Sequence, residues 1–174
     1  MRIELVNLEN GKGDFAHAYG PDELNLDDER VSLCSSASIS GKVRQSGTEV
    51  FVNGHVDSCV QVECDRCLKP LQLSVKSDFS LAYITGSEYE ANRTAELTEE
   101  LMSVGVFDGE SIDVDEIAKE QILLQVPVRS LCNEDCKGFC PTCGADRNAG
   151  DCGCSGGEID PRWTALKDLM SGKS

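Results

Sequence analysis

The sequence predicts an α+β protein: a bent antiparallel β-sheet, one capped helix, and a cysteine-rich C-terminal segment with a short helix after it. Three observations predict it. Between Val31 and Tyr83 apolar and polar residues alternate, the pattern of strands with one buried face. Asp113, followed three residues later by Glu116, opens a helical stretch that Pro127 stops. Cys132, Cys136, Cys140, Cys143, Cys152 and Cys154 fall within 23 residues, a density that packing alone does not require.

Each element follows in order. Ile3 and Leu5 with polar neighbours suggest a short first strand. Asn10 to Asp28, with scattered glycine, Pro21 and several acids, reads as mostly loop anchored by Phe15, Leu24 and Leu26. Val31, Leu33, Ala37, Ile39 and Val43 share one parity and make one or two strands. Asn53-Gly54 is a hairpin signal, but a two-residue turn there would put Val56 on the opposite face from Val52. Val50, Val52, Val56, Val60 and Val62 instead form one face of a long strand, bent or bulged at Gly54. Alternation resumes at Leu71, Leu73, Val75, Phe79, Leu81 and Tyr83, which places Cys64-Asp-Arg-Cys67 in the turn between two long antiparallel strands.

Thr85 to Glu100 reads as an acidic loop or weak helix, and Ser103 to Phe107 as another strand of a sheet spanning residues 1–107. The helix at 113–126 should bury Val114, Ile117, Ala118 and Leu124, with Ile122 and Leu123 beside them. Asp160, Pro161 and the stripe Trp163, Leu166 and Met170 mark a C-terminal helix. The expected division is a sheet-and-helix domain at 1–127 and a cysteine-rich tail at 128–174.

Eight of the ten cysteines stand in close pairs: Cys64/Cys67, Cys132/Cys136, Cys140/Cys143 and Cys152/Cys154. Thiolates three residues apart can reach one ion, and two such pairs close a tetrahedral site, the usual form of structural zinc. One or two Zn2+ ions are therefore expected. Short loops close at lower entropic cost, which favours Cys140, Cys143, Cys152 and Cys154 around one ion and Cys64, Cys67, Cys132 and Cys136 around another. A ribbon joining Cys64 and Cys67 to Cys140 and Cys143 is the rival. Reduced thiols without metal, and redox or iron–sulfur chemistry, are lesser readings. Cys34 and Cys59 stand alone in strands and read as small buried hydrophobes.

Nothing in the chain points to an enzyme. The two histidines, His17 on a loop and His55 on a polar strand face, have no partner motif, and no glycine loop precedes a helix to bind phosphate. All-thiolate pairs suggest closed sites rather than catalytic ones. Arg66 reads as a surface salt-bridge residue. A net charge of −15 opposes broad contact with a phosphate backbone and favours a basic partner. The longest apolar run, Ile122–Leu124, is far too short to span a membrane, and MRIELVNLEN reads as neither a signal nor a transit peptide. A cytoplasmic protein is expected, without membrane association or a small-molecule substrate.

The run CDRCLKPLQLSV, then IDVDEIAKEQILLQVPVRSLC, EDCKGFCPTCGADRN with its trailing CGC, and IDPRWTALKDL, in that order, resembles the YceD family, also called DUF177. The resemblance covers the chain from about Ser38 onward. It implies a role in accumulation of large-subunit (23S) ribosomal RNA, hence in ribosome biogenesis. A basic ribosomal protein or a pre-ribosomal particle would be the partner. Direct RNA binding by a zinc module, through Lys137, Arg147, Arg162 and Lys167, is the alternative that net charge disfavours; a thiol-based redox sensor is a remote third.

Overall fold

The computed structural model describes residues 1–92, 104–154 and 162, and these form two compact units. The first comprises Met1–Glu63 and Pro70–Ser130; the second comprises Cys64–Lys69 and the chain from Leu131.

The first unit holds β1 (Arg2–Glu4), a 3-10 turn at Leu5–Asn7, β2 (Lys12–Tyr19), β3 (Ser32–Leu33), β4 (Ala37–Ser46), β5 (Glu49–Glu63), β6 (Pro70–Thr85), α1 (Gly86–Asn92), β7 (Val104–Phe107), β8 (Ser111–Asp113) and α2 (Val114–Gln125). The main sheet runs β2-β4-β5-β6-β7, with β3 paired to β5; β1 and β8 make a separate two-stranded ladder. All its pairs are antiparallel except β6–β7, which is parallel. Alternation signals a half-buried strand but not the direction of its neighbour, so this mixed pairing was not legible in residues 103–107.

The valine stripe of β5 builds the core. Val50, Val52, Val56 and Val60 are fully buried and Val62 nearly so, each such side chain contributing about 1.5–3 kcal/mol. The strand passes through Asn53-Gly54 in continuous one-for-one register with β4 and β6, so there is no bulge at Gly54. Glycine is needed for a different reason. Gly54 faces Gly41 across β4, and a Cβ on Gly41 would lie 2.3 Å from the Asn53 carbonyl oxygen and 2.8 Å from the Phe15 ring. A Cβ on Gly54 would meet the Phe79 ring at 2.6 Å. The glycine pair lets two aromatic rings lie against bare backbone.

The region expected to be loop contains β2, an eight-residue strand carrying His17. Its inward positions are Gly13, Phe15, His17 and Tyr19, of which only Phe15 and Tyr19 are fully buried. A glycine and a histidine on the inner face erase the apolar alternation. Leu24 and Leu26 are buried beyond it, as anchoring residues should be.

Helix α2 starts where the cap predicts. The Asp113 carboxylate accepts hydrogen bonds from the main-chain N–H groups of Asp115 and Glu116. The Glu116 carboxylate pairs with Lys119 at 3.2 Å. Its buried stripe is Val114, Ile117, Ala118, Gln121 and Ile122. Leu124 is 67% exposed, contrary to expectation. At about 100° per residue it falls at the flank of that stripe. Gln121 takes the inner position instead, and Ser77 satisfies it: the Ser77 hydroxyl lies 3.5 Å from Gln121 Oε1 and accepts from Gln125 Nε2 at 3.2 Å.

Cys34 and Cys59 are not buried hydrophobes. They are half-exposed and joined in a disulfide with Cα atoms 5.5 Å apart. Their strands explain it: β3 pairs with β5 through Ser32–Gln61 and Leu33–Val60, and continuing that register sets Cys34 opposite Cys59. Cys59 has odd parity in β5 and lies on the face away from the valines. The C-terminal helix expected from Asp160 and Trp163 lies outside the described residues, as do 93–103.

Candidate metal centres

The second unit is built on one backbone device used twice. In Cys64–Lys69 the N–H of Leu68 donates to the Cys64 carbonyl at 2.9 Å, and the N–H of Cys64 donates to the Lys69 carbonyl at 2.9 Å. In Cys140–Ala145 the N–H of Gly144 donates to the Cys140 carbonyl at 2.9 Å, and that of Cys140 to the Ala145 carbonyl at 2.8 Å. Both knuckles place the residue after the second cysteine at positive φ, +56° for Leu68 and +73° for Gly144. Glycine adopts that conformation freely and leucine at a cost. The first knuckle is the turn between β5 and β6; the second is flanked by the single bridge Phe139–Asp146.

The eight paired cysteines gather into two groups of four. Cys64, Cys67, Cys132 and Cys136 form one; Cys140, Cys143, Cys152 and Cys154 form the other, with all sulfurs in each within 4.8 Å of one another. The first knuckle therefore meets Cys132 and Cys136, not Cys140 and Cys143. The Cys64 and Cys136 sulfurs are 3.9 Å apart and those of Cys67 and Cys132 3.6 Å. Four sulfurs tetrahedrally placed about one zinc would be separated by about 3.8 Å.

Several contacts assemble the first group. The Arg66 guanidinium donates to the main-chain carbonyls of Glu134, at 3.1 Å, and Cys136. Arg66 thus ties two segments of the module together rather than making a surface salt bridge. The N–H of Phe139 donates to the Arg66 carbonyl at 3.2 Å, and a Cβ on Gly138 would come within 2.5 Å of that oxygen. Only glycine permits this approach. Asn148 adds a link that spacing did not suggest: its side-chain amide donates to the Cys136 sulfur at 3.6 Å, and its Oδ1 accepts from the N–H of Lys137 at 2.8 Å.

Electrostatics prepare both groups for a cation. Burial opposes ionisation of Cys64, yet main-chain N–H groups of Cys132, Arg66 and Cys67 outweigh it and bring the thiol down to about 6. The N–H groups of Cys143 and Thr142 bring Cys140 to about 6. Neighbouring sulfurs push Cys132 and Cys154 up to about 12, Cys132 through Cys136 first and Cys154 through Cys143 first. Each group thus has one thiol that main-chain donors dispose to ionise and another whose ionisation its neighbouring sulfurs oppose. A bound dication removes that obstacle. The donor set, the sulfur separations and the N–H donors all fit a closed thiolate metal site.

Of the cations considered for RNA contact, Lys137, Arg147 and Arg162 are exposed and Lys167 lies outside the described residues. Lys137 and Arg147 share their hairpin with exposed Glu134, Asp135 and Asp151 and half-buried Asp146, so acids outnumber the two cations there. His55 pairs with Asp78 at 2.8 Å on the exposed sheet face.

Fold and site together define a class: an α+β protein whose longest hairpin carries half of a four-cysteine group that could hold a metal ion, with a second such group in the tail. Among the described residues no helix is long and apolar enough to cross a membrane. A family model described as "Large ribosomal RNA subunit accumulation protein YceD" matches residues 52–170, and the chain belongs to the YceD family. Uncharacterized proteins of Mycobacterium tuberculosis and Mycobacterium bovis are 29% identical to it, over all of this chain and 83% of theirs. One from Mycobacterium leprae is 28% identical over 75% of this chain and 57% of its own. No solved structure matches.

Proposed function

We propose that this protein is a non-enzymatic cytoplasmic factor for large ribosomal subunit biogenesis, which promotes accumulation of large-subunit rRNA by engaging a basic ribosomal protein or an assembly intermediate. Membership of the YceD family, across residues 52–170, is the observation that carries this reading. Charge supports the choice of partner. Around α2 and the loop after β2 stand Glu23, Asp27, Asp113, Asp115, Glu116 and Glu120, balanced in part by the N-terminus on Asp115, Arg2 on Asp113, His17 near Glu23, and Lys119 on Asp27 and Glu116. Such a surface speeds encounter with a basic protein and repels bare RNA.

In this reading two Zn2+ ions, held by Cys64, Cys67, Cys132 and Cys136 and by Cys140, Cys143, Cys152 and Cys154, supply the folding energy of a module with few apolar residues. Zinc here holds structure, since four thiolates leave no open position for catalysis. The test is a pull-down from lysate with and without nuclease. A basic large-subunit protein retained after nuclease, with an association rate that falls steeply from low to physiological salt, is the expected result. Loss of every associated protein on nuclease treatment would replace this mechanism with direct RNA binding.

A further inference from the structure

Cys34 and Cys59 are the two cysteines that the metal centres leave out. Two sulfurs do not close a metal site, and no third ligand joins them among the described residues. The chemistry left to them is thiol–disulfide exchange, and their setting suits it. Both are half-exposed, so a small thiol can reach them. Cys34 also lies outside the residues that the family model matches.

The bridge closes a tether of chain with weak attachments of its own. β3 is two residues long, and beyond its two pairings only the hydrogen bond from Cys34 N–H to the Cys59 carbonyl, at 2.9 Å, extends the ladder. Upstream, Leu24, Leu26 and Val31 enter the core, while Asp22, Glu23, Asp27 and Glu29 face solvent. Asp27 reaches Lys119 of α2 at 2.6 Å. An acidic segment is thus pinned by the short β3 ladder, three buried apolar side chains, the Asp27–Lys119 ion pair, the His17–Glu23 contact at 4.0 Å and one covalent bond.

We propose that Cys34–Cys59 is a reversible redox site that exchanges with low-molecular-weight thiols of the glutathione type, and that its state sets how firmly residues 20–36 are held to the sheet. In reduction, a thiolate attacks one bridge sulfur, the S–S bond breaks, and the other cysteine leaves as a thiolate. A second thiol then attacks the small-molecule sulfur of the mixed disulfide, releasing the second cysteine and a small disulfide. Two electrons pass from the two reductant thiols to the cysteine pair, and the cysteine thiolates take up protons from water. Oxidation reverses these steps with the small disulfide as oxidant. That the same switch tunes partner binding rests on the function proposed above; the redox site itself does not.

The experiment uses the full, zinc-loaded chain equilibrated in buffers of varied reduced-to-oxidised glutathione ratio, trapped by differential alkylation and read by peptide mass spectrometry. Cys34 and Cys59 should pass together through a single two-electron transition. Hydrogen exchange over residues 20–36 should be about 10-fold faster in the reduced form, with 114–125 unchanged within about twofold. Cys34→Ser/Cys59→Ser should show the faster exchange in both buffers. Free thiols at both positions under excess oxidised glutathione would overturn the proposal. So would a bridge that no glutathione ratio reduces, or equal exchange of residues 20–36 in the two states. Because no partner enters the assay, these outcomes stand whether or not the proposed function does.

Discussion

The two four-cysteine groups share a knuckle but differ in what supports it. Cys64–Lys69 closes strands of 15 and 16 residues, whereas Cys140–Ala145 has one bridge, Phe139–Asp146, beneath it. In the first group three of four cysteines are buried; in the second only Cys140 is. The first group also joins Cys67 to Cys132 across 65 residues, against nine between Cys143 and Cys152. Closing the longer separation from an unfolded chain would cost about 2 kcal/mol more. The intervening residues belong almost wholly to the folded first unit, so that cost falls to the fold rather than to the ion. The difference teaches that one motif is supported in two ways: at the end of two long strands in the first group, and by local contacts in the second.

The largest effect should come from Cys136→Ser. It leaves buried thiols without a full ligand set, and breaking a buried polar cluster is costly. Zinc content should fall from about two ions per chain to about one, and exchange over residues 64–69 and 131–139 should rise about 100-fold, as measured by elemental analysis and hydrogen exchange. Equal loosening of 140–154 would show that the two centres are a single cooperative unit. Cys143→Ser should also cost one ion but disturb less chain. Exchange over 140–154 should rise about 10-fold or more while residues 49–85 stay unchanged, because this centre is local.

Kinetics sharpen the contrast without mutation. A chromogenic chelator added to the wild-type protein should remove metal in two phases, the faster from the exposed second group by about 10-fold, and Cys143→Ser should abolish that fast phase. Single-phase release would break the comparison. The smallest expected effects have opposite sign. Gly144→Ala meets no atom within 4 Å and pays only for positive φ, so it should weaken the second centre by about 1 kcal/mol. Leu68→Gly relieves the same strain at a residue that is 58% exposed, and should strengthen the first by about 0.5 kcal/mol after the entropy of the unfolded chain is counted. Competition titrations for zinc would measure both.

These contrasts show what residue order reveals. The long hairpin was legible because the valines of β5 keep parity through Asn53-Gly54, a signal of buried side chains that overrides a local turn preference. The capped start of α2 was legible because capping is a short-range hydrogen-bond pattern. Strand β2 was hidden by Gly13 and His17 at inward positions. The exposure of Leu124 depends on where a covering surface ends, and the parallel β6–β7 pair on a crossover; neither leaves a mark in local pattern. The close cysteine pairs were visible as potential ligands from spacing alone. The supports of the first group were not: Arg66 and Asn148 act through main-chain carbonyls and a sulfur brought in from elsewhere. The Cys34–Cys59 bridge was hidden because its 25-residue separation is closed by a strand only two residues long.

The separation within the first centre also has a consequence in time. A chain emerging from the ribosome at about 5–20 residues per second presents Cys64 and Cys67 roughly 3–14 s before Cys136. Throughout that interval the hairpin tip is a pair of thiols with half a ligand set, able to capture an ion weakly or to be oxidised. The second group, spanning Cys140 to Cys154, completes itself within about 1–3 s of first appearing. The nascent protein thus completes the thiols of its exposed group almost as soon as the first appears, and leaves those of its buried group waiting for about two fifths of its own synthesis.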